Sequence, residues 1–206
     1  MNYWFLYLLT TGEIYTSPYL GNASEWTNIP AGCAVLGPFE ETAASAIVKD
    51  AYLHPNYYLV QNEDLTAKTN IGDLQLADAK QAKIAEVTQA YQTELNSTFT
   101  SSATGTALVY DYSPKSQQLW KELKDTIGTA VDGGTLPDSV LFPSGTMNIT
   151  LANNTNVPHT RAQLQKVIQD ATVRKLILHQ KLQDIVTANG TIISATTLSA
   201  VNAIVW

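Results

Sequence analysis

The sequence predicts an α+β fold in which a small β-rich unit at residues 1–65 precedes a mainly helical domain at residues 73–206. Three observations predict this. The chain opens with an apolar, aromatic stretch at residues 3–9 followed by a glycine-containing turn, which is typical of a strand. Residues 73–97 and 161–188 each repeat apolar side chains at helical intervals. Short apolar runs between these two segments, broken by Gly, Pro and Asn, predict a β-hairpin.

The first unit is predicted to contain one helix and four short strands. The helix is expected at residues 41–53, where apolar side chains recur at helical spacing, with Thr42 as its N-cap. It ends at His54-Pro55, because proline disfavours helical geometry in the residue before it. Pro18, Gly21 and Asn22 are expected to interrupt the sheet. The strands are expected at residues 3–9, 14–16, 34–36 and 57–60, with a turn at residues 61–64.

The helical domain is predicted to form around its two longest helices. Each has one apolar stripe, and antiparallel pairing is the simplest way to bury both. The first stripe consists of Leu76, Ile84, Val87, Tyr91 and Leu95. The second helix is expected to start at a His159-Thr160 cap and to stop at Asn189-Gly190. Its stripe consists of Leu164, Val167, Ile168, Ala171, Lys175, Leu178, Leu182, Ile185 and Val186.

Shorter elements complete this domain. A strand at residues 107–112 leads to a helix that starts at Ser113-Pro114 and ends at Gly128. Residues 132–157 are expected to form loops and a hairpin, with turns at Gly133-Gly134 and Pro137. A closing helix is expected at residues 195–206, with Thr197 near its cap. The side chains predicted to point inward are Leu119, Trp120, Leu123 and Ile127 in the former helix, and Leu198, Val201, Ile204 and Val205 in the latter.

The composition excludes several classes of function. Only 15% of the residues are charged and the net charge is −6, and the 12 basic residues are scattered, so no nucleic-acid-binding surface is expected. The single cysteine, Cys33, allows neither an internal disulfide nor a cysteine-based zinc site, and is expected to be a small buried side chain. The apolar N-terminal stretch is too short for an export signal or a membrane span. The chain is therefore expected to be made in the cytoplasm without a membrane anchor.

No catalytic residue, metal site or cofactor is predicted. The sequence contains no phosphate-binding glycine loop, nucleophile elbow or zinc-protease motif. The three histidines, His54, His159 and His179, are expected to act as caps or surface residues rather than as ligands or bases. A glycosidase that uses two convergent carboxylates is the alternative among enzymes, because sequence alone does not show convergence.

Five short motifs occur in order in the helical domain. They are Ala79-Lys80-Gln81-Ala82-Lys83-Ile84, Phe99-Thr100-Ser101-Ser102-Ala103-Thr104-Gly105, Val109-Tyr110-Asp111-Tyr112, Pro158-His159-Thr160-Arg161-Ala162-Gln163-Leu164, and an ending from Ala195-Thr196-Thr197 to Ile204-Val205-Trp206. In this order they resemble a domain of unknown function found in proteins encoded beside the tail-fibre genes of tailed bacteriophages and prophages. The resemblance covers about residues 75–206. The chain departs from that pattern at Ser97-Thr98, where a glycine before Phe99 is usual, and at Thr104, where leucine is usual.

Residues 1–65 resemble the small β units that begin phage tail-fibre assembly and accessory proteins, through the aromatic first strand and Tyr57-Tyr58-Leu59-Val60. Together the two resemblances imply a non-enzymatic protein that binds a phage tail-fibre protein. It would be an assembly chaperone in the host cytoplasm, or an accessory subunit retained in the virion tail. A receptor-binding or decoration component of the tail is the alternative.

The β-rich unit is predicted to be the part that contacts a partner. Its first strand is apolar on both faces and requires cover on both, either from the protein's own helices, from a partner, or from a second copy in a homo-oligomer. Three more aromatic residues alternate with Ser, Thr and Asn, as on many binding surfaces, although a core role is the alternative. The candidate contact residues are Tyr3, Phe5, Tyr7, Tyr15, Tyr19 and Trp26.

Overall fold

The computed structural model describes residues 1–22, 26, 28–128, 138–187 and 190–206. The chain mixes α and β structure, with strands first and helices and short hairpins after them, which confirms the predicted fold class. It divides into two compact units, Met1–Ala79 (unit 1) and Lys80–Trp206 (unit 2). The turns predicted at Gly133-Gly134 and Pro137 lie outside the described residues, as does Asn189 of the left-handed helix stop predicted at Asn189-Gly190. Gly190 is described and has an ordinary φ of −73°.

Unit 1 is built on a three-stranded antiparallel sheet of order β2-β1-β3. Its strands are β1 (Asn2–Leu8), β2 (Tyr19–Gly21) and β3 (Cys33–Glu40). The prediction of a strand at residues 14–16 is wrong, because these residues form only an isolated bridge between Ile14 and Tyr7. The Tyr15 N–H still donates to the Leu6 carbonyl at 2.8 Å, but Pro18 has no N–H to donate, and strand pairing with β1 resumes only at Tyr19. The second strand instead lies after this proline, where a break was predicted.

A helix and a hairpin complete unit 1. Helix α1 (Ala46–Leu53) begins later than predicted, because the hydroxyl of Ser45 and not that of Thr42 caps it, accepting the Val48 N–H at 3.4 Å. After a short 3-10 turn at Pro55–Tyr57, β4 (Tyr58–Gln61) pairs with β5 (Asp64–Ala67). The turn predicted at residues 61–64 is the connection of this hairpin, but β5 itself was not predicted.

The core of unit 1 lies between β1, α1 and the hairpin. At the edge of this core, two tyrosine hydroxyls donate hydrogen bonds to carboxylates. Tyr57 donates to Asp78 at 2.6 Å, and Tyr58 donates to Asp50 at 2.5 Å. Burial, together with these hydrogen bonds, raises the pKa of both tyrosines to about 12, so both remain donors at neutral pH. The buried members of the core are Tyr3, Phe5, Val48, Ala51, Tyr57, Tyr58, Val60 and Leu65.

Gly12 joins the turn after β1 to the hairpin. Its N–H donates to the Leu8 carbonyl at 2.7 Å and its carbonyl accepts the Val60 N–H at 2.7 Å. Gly12 has a φ of +74°, and a Cβ placed on it would lie 2.2 Å from the backbone oxygen of Val60. Only glycine therefore fits between the turn and β4.

We expect Gly12→Ala to destabilise unit 1 by roughly 3 kcal/mol, because strain at positive φ adds to a clash with backbone atoms. Gly32→Ala is the matched control: Gly32 has a similar φ of +82° but open space around its Cβ position. The control is expected to cost about 1 kcal/mol. Urea unfolding followed by circular dichroism measures both. Equal losses in the two variants would show that the close approach to Val60 does not matter.

Unit 2 is organised by two long helices, α2 (Ile71–Leu95), whose first residues belong to unit 1, and α5 (Arg161–Val186). They are antiparallel, as predicted: Val87 of α2 clusters with Ile185 near the end of α5, whereas the Leu95 carbonyl accepts a hydrogen bond from Arg174 in the middle of α5 at 3.3 Å. Helix α5 begins with the predicted Thr160 cap, which forms a reciprocal capping box with Gln163.

Two hairpins and shorter helices pack around this pair. The hairpins are β6 (Phe99–Ser101) with β7 (Leu108–Tyr110), and β8 (Met147–Thr150) with β9 (Asn156–His159). The helices are α3 (Pro114–Ile127), α4 (Asp138–Leu141), α6 (Thr191–Ser194) and α7 (Leu198–Asn202). Helix α3 has the predicted bounds, with Ser113 and Gly128 as its caps. None of the described helices is long and apolar enough to cross a membrane.

Some inward-facing residues were predicted wrongly. Leu119 is 55% exposed on α3, although Ile127 on the same helix is buried. The closing helix is shorter than predicted, so Val205 lies beyond it and is exposed, and Leu198 is exposed at its first residue. Val201 is fully buried, as predicted.

Candidate functional site

The aromatic residues predicted to contact a partner fall into two groups. Tyr3 and Phe5 are buried, and Tyr7 is half-buried, on the face of β1 that packs into the core of unit 1. The ring of Tyr3 contacts the ring of Tyr52 in α1, with 5.0 Å between the two centroids. The first strand is therefore covered on this face by the unit's own helix. Partner binding by these three residues stays a prediction.

The other three aromatic residues reach the surface. Tyr15 is 56% exposed. Tyr19, on β2, and Trp26 are half-buried, and their rings meet edge to face at 6.4 Å between centroids. Trp4 lies opposite Tyr19 in the sheet register, and its indole N–H donates to the Gly21 carbonyl at 3.3 Å. An aromatic patch of Trp4, Tyr19 and Trp26 therefore lies at the β2 side of the sheet.

The opposite side of the sheet ends in β3. In the described part of unit 1, β3 pairs with β1 and with no other strand, so its second row of backbone donors and acceptors faces away from the sheet. Regular pairing runs from Cys33 to Leu36 and is then interrupted by a bulge at Gly37 and Pro38. Cys33 is buried, as predicted. The open edge is thus a segment of four residues, Cys33–Leu36. Within it, the Cys33 N–H already donates to the Pro30 carbonyl at 3.0 Å.

Unit 2 contains a buried polar pair, Tyr110 and His159, both with no exposed surface. Nδ1 of His159 lies 2.8 Å from the Val157 carbonyl, which can only accept, so this nitrogen is the donor. Nε2 then accepts the Tyr110 hydroxyl proton at 2.8 Å. Burial, and secondarily the Asp170 charge, raises the pKa of Tyr110, which keeps it protonated. The prediction that His159 is a cap or surface residue is wrong, because the pairing of β9 with β8 turns it inward.

A second polar contact ties β6 to α5. Ser101 is buried, and its hydroxyl donates to Asp170 at 2.6 Å, while Lys166 pairs with the other oxygen of the same carboxylate. Burial alone would raise the pKa of Asp170, but the hydrogen bonds from Lys166 and Ser101 outweigh it and lower the pKa below its ordinary value.

A groove of about 490 Å³ lies between α3 and α5. Its lining residues include Lys121, Lys124 and Lys175 and no Asp or Glu. None of these lysines forms a salt bridge with any residue that the structure describes. The groove can attract an acidic group of another molecule by charge alone. Across the described ranges, no three His, Cys, Asp or Glu side chains converge in a way that could hold a metal ion.

A comparison with known protein families identifies the family to which unit 2 corresponds. Residues 78–205 match the model of a domain of unknown function, DUF4376. The chain belongs to the DUF4376 family. No curated protein and no solved structure matches the chain. The DUF4376 match spans nearly the same residues as the ordered motifs, and several residues of these motifs lie in the interior of the domain. Phe99, Ser101, Tyr110 and His159 are all buried, and Trp206 donates its indole N–H to Glu94 at 2.6 Å.

We expect Tyr110→Phe to lower the free energy of unfolding of the DUF4376 domain by about 1–3 kcal/mol, because it leaves Nε2 of His159 buried without a partner. Tyr15→Phe removes the same hydroxyl at an exposed position and is expected to change stability by less than about 0.5 kcal/mol. Denaturant unfolding of both variants makes the comparison. A neutral Tyr110→Phe would contradict the assigned hydrogen bond.

We expect Asp170→Asn to reduce stability at neutral pH and to lose this effect in acid. A carboxyl whose pKa is lowered by folding contributes stability above its unfolded pKa of about 3.9, and this contribution disappears as pH falls through the lower folded pKa. The urea midpoints of the two proteins should therefore differ at pH 7 and converge towards pH 3. A difference that is the same at both pH values would argue against an ionised Asp170 in the fold.

Proposed function

We propose that the protein is a phage tail-fibre assembly chaperone or fibre-bound accessory protein, which acts by binding the fibre polypeptide and not by catalysis. The ordered motifs support this proposal, since they resemble those of proteins encoded beside tail-fibre genes. The partner is a tail-fibre protein in the host cytoplasm. The protein carries out this role with no cofactor, nucleic acid or membrane.

The observation that carries the proposal is the open edge of β3 at Cys33–Leu36. Trimeric fibre shafts fold slowly and expose strand edges before they assemble. A sheet with a free edge can bind such a strand by adding it to the sheet, with main-chain hydrogen bonds supplying affinity. The side chains along this edge are small or apolar and half-buried after Cys33, which suits transient contact with another strand.

A structural component of the tail that binds a receptor or decorates the virion is the second candidate. It is favoured by the aromatic patch of Trp4, Tyr19 and Trp26 and by exposed Tyr15, since rings beside polar loops suit sugar or protein surfaces. This function requires the protein to remain in the mature particle, whereas a chaperone leaves it.

Co-expression with the tail-fibre polypeptide encoded beside it tests the proposal. We expect the fibre to be soluble only when this protein is present, and the two to co-purify from the lysate. Purified virions then separate the alternatives: absence of the protein indicates a chaperone, and its retention indicates an accessory or decoration subunit. A fibre that is equally soluble with and without the protein, and that does not bind it, would refute the proposal.

Proline substitution tests the edge itself. Successive N–H groups along a strand point to opposite sides, so one of Ala34→Pro and Val35→Pro removes a hydrogen bond to β1 and the other removes an outward donor. The variant that keeps its fold is expected to lose co-purification with the fibre. Val35→Lys, which leaves the backbone donors in place but adds a charge to the edge, provides the same test if neither proline variant folds. Unchanged binding by a folded edge variant would exclude β3 as the contact.

A further inference from the structure

The outward face of α5 carries an apolar patch with no cover. Val173 is 47% exposed, and Leu176 and Ile177 are each 63% exposed, although they lie in the middle of a 26-residue helix. Their spacing of three and four residues places them on one face at about 100° per residue. The residues that α5 buries, among them Val167, Ala171 and Leu178, lie on the other side of the helix. The patch is therefore a second apolar surface, separate from the core.

The same face becomes polar towards both ends of the helix. At the two ends, Lys166 and Asp184 have opposite charges and lie close to the direction of the patch, whereas Asp170 and Lys181 lie towards its border. At about 100° per residue, Lys166 lies on the same face of α5 before the patch, and Asp184 lies on this face after it. Both side chains are exposed. Lys166 pairs with Asp170 within its own helix, and Asp184 accepts a hydrogen bond from Gln180 at 2.7 Å. Lys166 is more exposed than Asp170, and its ammonium has three donors, so it can bind a second carboxylate while it keeps Asp170. The Asp184 carboxylate can likewise accept more than the one hydrogen bond from Gln180.

We propose that this face binds a second copy of the chain, with the two α5 helices antiparallel about a two-fold axis near position 175. Lys166 and Asp184 each lie nine residues from that position, so each would face the opposite charge on the second copy. Val173 and Ile177 each lie two residues from it and would face one another across the interface. The two Leu176 side chains would meet beside the axis. The same surface is then used twice, as a closed two-fold dimer requires.

The charge pattern selects both the occupant and its direction. A parallel arrangement in the same register would place Lys166 against Lys166 and Asp184 against Asp184, which is repulsive. An unrelated partner would need its own matching pair at the same separation, roughly 27 Å along the helix. A second copy supplies this match automatically. The apolar part is small compared with a standard interface, so the dimer is expected to be weak, with a Kd on the order of micromolar. This association goes beyond fibre binding and does not depend on it.

Sedimentation equilibrium of the full chain, from about 1 to about 500 µM, tests the association. The unaltered chain is expected to dimerise reversibly, and Leu176→Gln with Ile177→Gln is expected to raise the Kd at least about tenfold. Leu119→Gln is the matched control, because Leu119 is similarly exposed on another helix of unit 2, and it should leave the Kd unchanged. A chain that stays monomeric throughout, or a dimer that the α5 variant does not weaken, would overturn the proposal.

A charge swap tests the register. Lys166→Glu alone and Asp184→Lys alone each place like charges opposite one another twice in the dimer, so each is expected to weaken it, by about threefold to tenfold in Kd. The double variant, Lys166→Glu with Asp184→Lys, restores opposite charges at both places and is expected to bind more tightly than either single variant. Lys166→Glu also removes the pair with Asp170, so circular dichroism must show that each variant keeps its fold. A double variant that is weaker than either single variant would overturn the antiparallel arrangement.

Discussion

The buried hydrogen bond between Tyr110 and His159 is the contact on which the arrangement of unit 2 depends. It joins two hairpins whose strands are only three or four residues long, and such hairpins are marginal when isolated. The Tyr110 ring also stacks on Phe99 at 5.3 Å and meets Trp120 of α3 edge to face at 5.8 Å between centroids. Because His159 directly precedes the Thr160 cap, the same bond also holds the start of α5 next to the two hairpins. One hydroxyl and one imidazole thus connect both hairpins to the longest helix.

Helix α5 in turn supplies polar partners to the elements around it. The last carbonyls of a helix have no partner within that helix, and side chains of α5 provide donors for two such ends. Arg174 donates to the Glu94 and Leu95 carbonyls at the end of α2, and Gln165 donates to the Gly128 carbonyl after α3 at 2.6 Å. These contacts, with Ser101 on Asp170, occupy the sides of α5 that face the domain. None of them involves the outward face, so the packing of unit 2 does not account for the apolar residues there.

Local signals predicted the helices well, and non-local pairing explains most of the errors. Ser113, Gly128 and Thr160 act within one turn of the chain, so the ends of α3 and the start of α5 could be predicted directly. Strands β2 and β5 have three and four residues, too few for an alternating pattern. Strand β2 also depends on a distant partner, β1, whereas β5 pairs with the adjacent β4. A helical wheel finds the centre of a stripe but not its border, which is why Leu119 was misplaced. The burial of His159, and the exposed patch on α5, both depend on which face of an element is already covered, and that is a tertiary property.

The open edge of β3 and the apolar patch of α5 are both bounded by residues that limit what can bind. A long free edge or an unrestricted apolar surface promotes indiscriminate aggregation. On β3, the bulge and the missing N–H of Pro38 stop strand addition after four residues. On α5, opposite charges at the two ends oppose parallel association. In the proposed role, the protein must release the fibre chains that it binds, and a short edge allows release because it offers few hydrogen bonds. These restrictions on the two surfaces are therefore what distinguish selective, reversible binding from aggregation.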